Sequence, residues 1–195
     1  MELAGAGYLF NLSVIAVTFV GFSAIVVILR QSLGNPFQPL DSLASRLFMT
    51  WGFVVAFSAL LPVVLKQFDL AEGSVWAAAS LLAATATGAI NVVYPIVRPR
   101  IVGQANSIHI WLHVGFGLLV ALVLLINSAQ PFPHQAGAVY SSCLTLYMAE
   151  ASFAFVQHFG YMLGEIAKAD ATKISDTPGA GEDSAKSRSH RSELR

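Results

Sequence analysis

Cysteine occurs once, at Cys143, which excludes an intrachain disulfide and any metal site built from several thiolates. Charge is equally scarce. Only 11% of the residues are Asp, Glu, Lys or Arg, against about 25% in a soluble domain whose surface must be wetted. Formal net charge is zero, so overall electrostatics gives no pointer to nucleic acid as a partner. The chain lacks a nucleophile elbow, a phosphate-cradling glycine loop and a deaminase zinc motif, and it shows no internal repeat of the kind that marks many transporters. Its opening, Met1-Glu2-Leu3-Ala4, lacks the basic stretch of a secretory signal peptide. The apolar run that follows exceeds the roughly 7–15 residues such a peptide uses, which favours a retained first span.

What the chain does have is apolar length. Hydrophobic residues make up 55% of it and mean hydropathy is +0.65. The charges it carries are clustered: eleven of the twenty-two lie from Glu2 to Glu165, and the other eleven crowd between Lys168 and Arg195. A hydrocarbon core about 30 Å thick needs roughly 20 apolar residues in helical form. Five runs meet that length: Leu3 to Leu29, Leu47 to Leu65, Ser74 to Val97, Ile108 to Ile126 and Ala136 to Leu163. Each is too long and too evenly apolar for a strand of a membrane barrel. The fold class expected is therefore an all-α integral membrane protein, a bundle of five transmembrane helices.

Orientation follows from Lys and Arg in alternate connections. With the N-terminus outside and the C-terminus in the cytoplasm, Arg30, Arg46, Arg98, Arg100 and every cation from Lys168 onward fall inside, and only Lys66 falls outside. Residues 1–165 are expected to form the transmembrane domain, and 166–195, poor in bulky apolar residues, a disordered cytoplasmic tail. A bacterial inner membrane is the expected location.

Between helices lipid supplies no hydrophobic force, so small residues and interhelical hydrogen bonds must hold the bundle. Ser80, Ala84 and Gly88 form a smooth stripe four residues apart on the third span, which marks that helix as the expected centre. Gly160 and Gly164 repeat the spacing on the fifth, and the fourth carries Gly115 and Gly117.

Glu150 is the most informative residue. An acid deep in an apolar span costs on the order of 3 kcal/mol on insertion scales, so it is expected to face protein or water and is a functional candidate. Helical spacing puts Cys143, Tyr147, Gln157, His158, Tyr161 and Glu165 within about 80° of it. The fourth span contributes His109 and His113, four apart and so on one face, and the third contributes Asn91 at comparable depth. Because the fourth and fifth spans form a hairpin, Glu150 is expected to meet His113, and His158 to meet His109. The candidate intramembrane polar cluster is Glu150, His113, His109, His158, Gln157 and Asn91. Histidines four apart on a helix can share a metal ion, but the run His109-Ile110-Trp111-Leu112-His113 lacks the glutamate of the zinc-protease pattern. His109 and His113 are thus weak metal candidates, and no cofactor is expected.

Three function classes fit these residues. A non-catalytic membrane subunit or interaction protein accords with the short connections and the missing catalytic motifs, and is placed slightly ahead. A proton-linked small-solute carrier would use Glu150 and the intramembrane histidines. A metal- or haem-dependent redox protein would use His109, His113 and His158. The partners expected are the lipid bilayer, membrane proteins or further copies of the chain, and not nucleic acid. The reading leans away from an enzyme.

Overall fold

The computed structural model describes residues 3, 5–32, 39–103 and 107–175. They form five long helices: α1 (Ala6–Ser32), α2 (Pro39–Lys66), α3 (Glu72–Val102), α4 (Ile108–Ser128) and α5 (Ala136–Ser175), with one 3-10 turn, Pro133–Gln135, leading into α5. All five are long and apolar enough to cross a membrane. Internal contacts divide the chain into two units, Met1–Ala154 and Phe155–Arg195. In the second, Phe155 and Phe159 stack one helical turn apart with rings 6.1 Å apart and nearly parallel. The helix α5 continues to Ser175. Residues 176–195, most of the segment assigned to the tail, lie outside the described residues, as do residues 33–38 of the first connection and the side chains of Tyr161 and Glu165.

In the first unit α1 packs on α2, α2 on α3 and α3 on α4. The early part of α5 reaches all four of the others. Tyr8 of α1 is bonded to Thr145, Trp51 of α2 packs edge-on to Tyr147, Asn91 of α3 donates to Tyr147, and His113 of α4 meets Glu150. The stripe on α3 does allow close approach: a Cβ added at Gly88 would rest 3.8 Å from the Ala121 methyl of α4. The helix that binds the others together is nevertheless α5, because it carries the polar and aromatic side chains that reach across.

The apolar side chains point the wrong way for a water-soluble bundle. Phe10, Ile15, Ile25 and Ile28 of α1, Phe57 of α2, and Leu112, Leu119 and Ile126 of α4 are all more than half exposed. Hydroxyls in the helices bond back to carbonyls a turn earlier, as Thr18 to Val14, Thr50 to Arg46 and Thr85 to Leu81 do. These hydroxyls are thus satisfied without water. At Gly52 the missing side chain matters: a Cβ there would collide with Val20 and crowd the Ala16 carbonyl of α1.

Three prolines sit inside helices, Pro62 in α2 and Pro95 and Pro99 in α3. Each removes the N–H that would bond the carbonyl four residues earlier. For Pro62 that carbonyl belongs to Ser58, and the buried Tyr140 hydroxyl donates to it at 2.6 Å. Neighbouring helices commonly re-satisfy carbonyls freed in this way. Arg98 and Arg100, counted from sequence in an inner connection, are part of α3 together with Pro99, and the helix ends at Gly103 with φ 70° and its N–H bonded to the Pro99 carbonyl.

Candidate functional site

The face that α5 turns inward is built from Tyr140, Cys143, Leu144, Tyr147, Met148 and Ala151, all buried at helical spacing. Glu150 lies one turn beyond Tyr147, so the ring and the carboxyl share that side of the helix. The antiparallel hairpin of α4 and α5 brings His113 opposite. Its Nδ1 is 2.5 Å from Glu150 Oε1, with side-chain exposures of 26% and 10%. A contact that short requires one proton between the two atoms. It is held either as imidazolium against carboxylate or as carboxylic acid against neutral imidazole, and the two forms differ in whether charge is separated. The other carboxyl oxygen, Oε2, is buried with no hydrogen-bond partner among the described residues.

A second polar pair abuts the first. Asn91 of α3 is 2% exposed, and its Nδ2 donates to the Thr87 carbonyl at 2.9 Å and to the Tyr147 hydroxyl at 3.1 Å. The Asn91 side chain lies directly against Gly117 of α4, so that a Cβ at 117 would overlap its carboxamide. Gly117 is one turn from His113 on the same helix face, and Pro95 deprives the Asn91 carbonyl of its usual helical donor. Trp51 packs edge-on against Tyr147 with centroids 5.9 Å apart, and closes the cluster from α2. Measured at 1.5 Å per residue along the apolar stretches Glu72–Val102, Ile108–Ser128 and Pro133–Gly160, Asn91, His113 and Glu150 lie about 5–8 Å from the middle, all toward the end where α3 carries Arg98 and Arg100.

The structure thus joins Asn91, His113 and Glu150 in one polar layer and adds Tyr147 as the bridge, a residue that sequence reasoning placed on the Glu150 face but not in the cluster. The spacing of three between Tyr147 and Glu150 was the available signal. His109 is exposed at the start of α4 and stands outside the His113–Glu150 contact. Gln157, exposed, and His158, half-buried, belong to the second unit. Among the described residues, no three His, Cys, Asp or Glu side chains come together as a set able to hold a metal ion.

A separate polar knot closes the other end. Asn127, buried at the end of α4, donates to Ser80 Oγ at 2.9 Å and to the Ala136 carbonyl at 3.0 Å, tying α4, α3 and the start of α5 together. The chain matches no known family model, no curated protein and no solved structure.

Proposed function

We propose that the chain is a multi-pass protein of a cell membrane, a bacterial inner membrane by its composition, that loads and releases a proton at Glu150. Its work is proton-linked movement of a small solute or signal across the bilayer. The observation that carries this reading is the 2.5 Å contact between His113 Nδ1 and Glu150 Oε1 inside the bundle. Its support is energetic. A scaffold gains nothing from an ionisable acid at this depth, where replacement of a buried ion pair by apolar residues is often neutral or stabilising. An acid whose one oxygen shares a proton with an imidazole and whose other oxygen has no partner among the described residues is suited to exchanging that proton. The Tyr147 hydroxyl and Asn91 lie next in line.

The N-terminus faces outside and the C-terminus the cytoplasm, on the alternation of Lys and Arg between connections. The proton site then lies in the cytoplasmic half. A five-span chain is small for a complete carrier, so further copies of the chain or a partner membrane protein complete the pathway.

Infrared difference spectra of the protein in lipid test the central claim. A carboxyl band that responds reversibly to pH should appear in the wild type and vanish in Glu150→Gln. In proteoliposomes with a trapped pH-sensitive dye, the same substitution should slow dissipation of an imposed pH gradient at least tenfold. Identical spectra or identical rates in the two proteins would defeat the proposal.

A further inference from the structure

Two cavities away from Glu150 meet at one side chain. The larger, about 710 Å3, opens where the first turns of α1, α3 and α5 come together, and Tyr8, Glu72, Trp76, His134, Ser141 and Ser142 line it. The smaller, about 300 Å3, follows the groove between α1 and α5, where Leu12, Ile15, Met148 and Ala149 line it together with Tyr8, Thr145, Asn11 and Ser152. Tyr8 belongs to both. Thr145 Oγ1 spends its proton on the Ser141 carbonyl at 2.8 Å, so it is the acceptor of the Tyr8 hydroxyl. The neck between the two cavities is therefore a fixed hydrogen bond.

The two cavities differ in chemistry. The outer one presents the exposed carboxylate of Glu72, which receives the Trp76 indole N–H at 3.3 Å, beside the rings of Trp76 and Tyr8. An exposed carboxylate beside aromatic rings attracts an alkylammonium group. Gly73 and Gly137, on the first turns of α3 and α5, line the same wall and lie against the Gln130 carboxamide and the Trp76 ring respectively. Below the neck the Thr145 and Ser152 hydroxyls both donate to carbonyls of their own helix, and apart from the Asn11 amide what remains is aliphatic side chain and thioether. From Tyr8 to Ile15 this groove descends about 10 Å along α1, to a depth that hydrocarbon would occupy.

We infer that the two cavities are the halves of one lipid site, for a phospholipid with an alkylammonium headgroup. The headgroup sits in the outer cavity, the glycerol region lies at Tyr8, and one acyl chain runs down the α1–α5 groove. This rests on the membrane reading above but not on the proton site. Resistance of the protein to alkaline carbonate extraction checks the membrane reading separately.

Native mass spectrometry of the full chain released from bilayers of equal phosphatidylethanolamine and phosphatidylglycerol tests the inference. The wild type should retain phosphatidylethanolamine severalfold over phosphatidylglycerol. Glu72→Gln, at an exposed position and still able to accept from Trp76, should bring that ratio near one. Ala149→Phe, whose ring fills the groove, should lose both lipids, and millimolar ethanolamine in solution should displace neither. Equal retention of the two lipids by wild type, an unchanged ratio in Glu72→Gln, undiminished lipid in Ala149→Phe, or displacement by free ethanolamine would each overturn it.

Discussion

Replacing Gly117 by alanine should be far more costly than the same change at Gly115, two residues away on the same helix. A Cβ at 117 would occupy the space of the Asn91 carboxamide, whereas at 115 it would meet nothing within 4 Å. Asn91 has little freedom to retreat, since it is buried and its Nδ2 is held by both the Thr87 carbonyl and the Tyr147 hydroxyl. Overpacking of this kind costs about 1–3 kcal/mol, and loss of the bond to Tyr147 adds about 0.6–1.7 kcal/mol at values measured between membrane helices. Against this, exchanging glycine for alanine in a helix gains up to about 1 kcal/mol. Gly117→Ala should therefore destabilise by about 1–4 kcal/mol, and Gly115→Ala should be neutral or slightly stabilising. Unfolding by sodium dodecyl sulfate in mixed micelles, followed by circular dichroism, measures both. The double variant Gly117→Ala with Asn91→Ala should be more stable than Gly117→Ala alone, because the overlap is gone. If the two alanine variants unfold together, or if the second substitution brings no recovery, the packing of α3 on α4 through Asn91 is wrong.

Removing one member of the acid–imidazole pair should be worse than removing both. His113→Ala should cost of order 3 kcal/mol, and His113→Leu combined with Glu150→Leu about 1 kcal/mol or less, measured by the same unfolding assay; equal losses would contradict the pairing. Tyr140→Phe leaves the Ser58 carbonyl without its donor and should cost about 1–2 kcal/mol. With Pro62→Ala also present, which restores the helical N–H, the additional loss should shrink, and a double-mutant cycle with no coupling would refute the bond. Gly52→Ala should destabilise by about 1–3 kcal/mol through its collision with Val20, and an unchanged midpoint would show that α1 and α2 lie further apart than described.

The five helices were legible because a span needs only enough consecutive apolar residues, a property that local sequence carries by itself. Their ends were less so. Proline usually breaks a helix in water, yet α3 runs through Pro95 and Pro99 and α2 through Pro62. The meeting of His113 with Glu150 followed from hairpin register, which two adjacent antiparallel helices fix almost alone. The exposure of His109 did not: helical spacing places it on the His113 stripe but does not say which members of that stripe are buried. The bridging role of Tyr147 and the bond from Tyr140 to Ser58 depend on which helices neighbour α5, and no periodicity encodes that. The small residues of α3 suggested a central helix, but smoothness only permits approach, and it is the donors and rings of α5 that decide which contacts form.

That α5 touches every other helix has a consequence for biogenesis. Translation delivers α1 to α4 first, so the Ser58 carbonyl, the His113 imidazole and the Asn91 amide all emerge before the groups that complete them exist. On the membrane reading, the nascent protein would hold a set of polar vacancies within the bilayer until its last helix left the translocon, the kind of signal that quality-control proteases and insertion chaperones recognise.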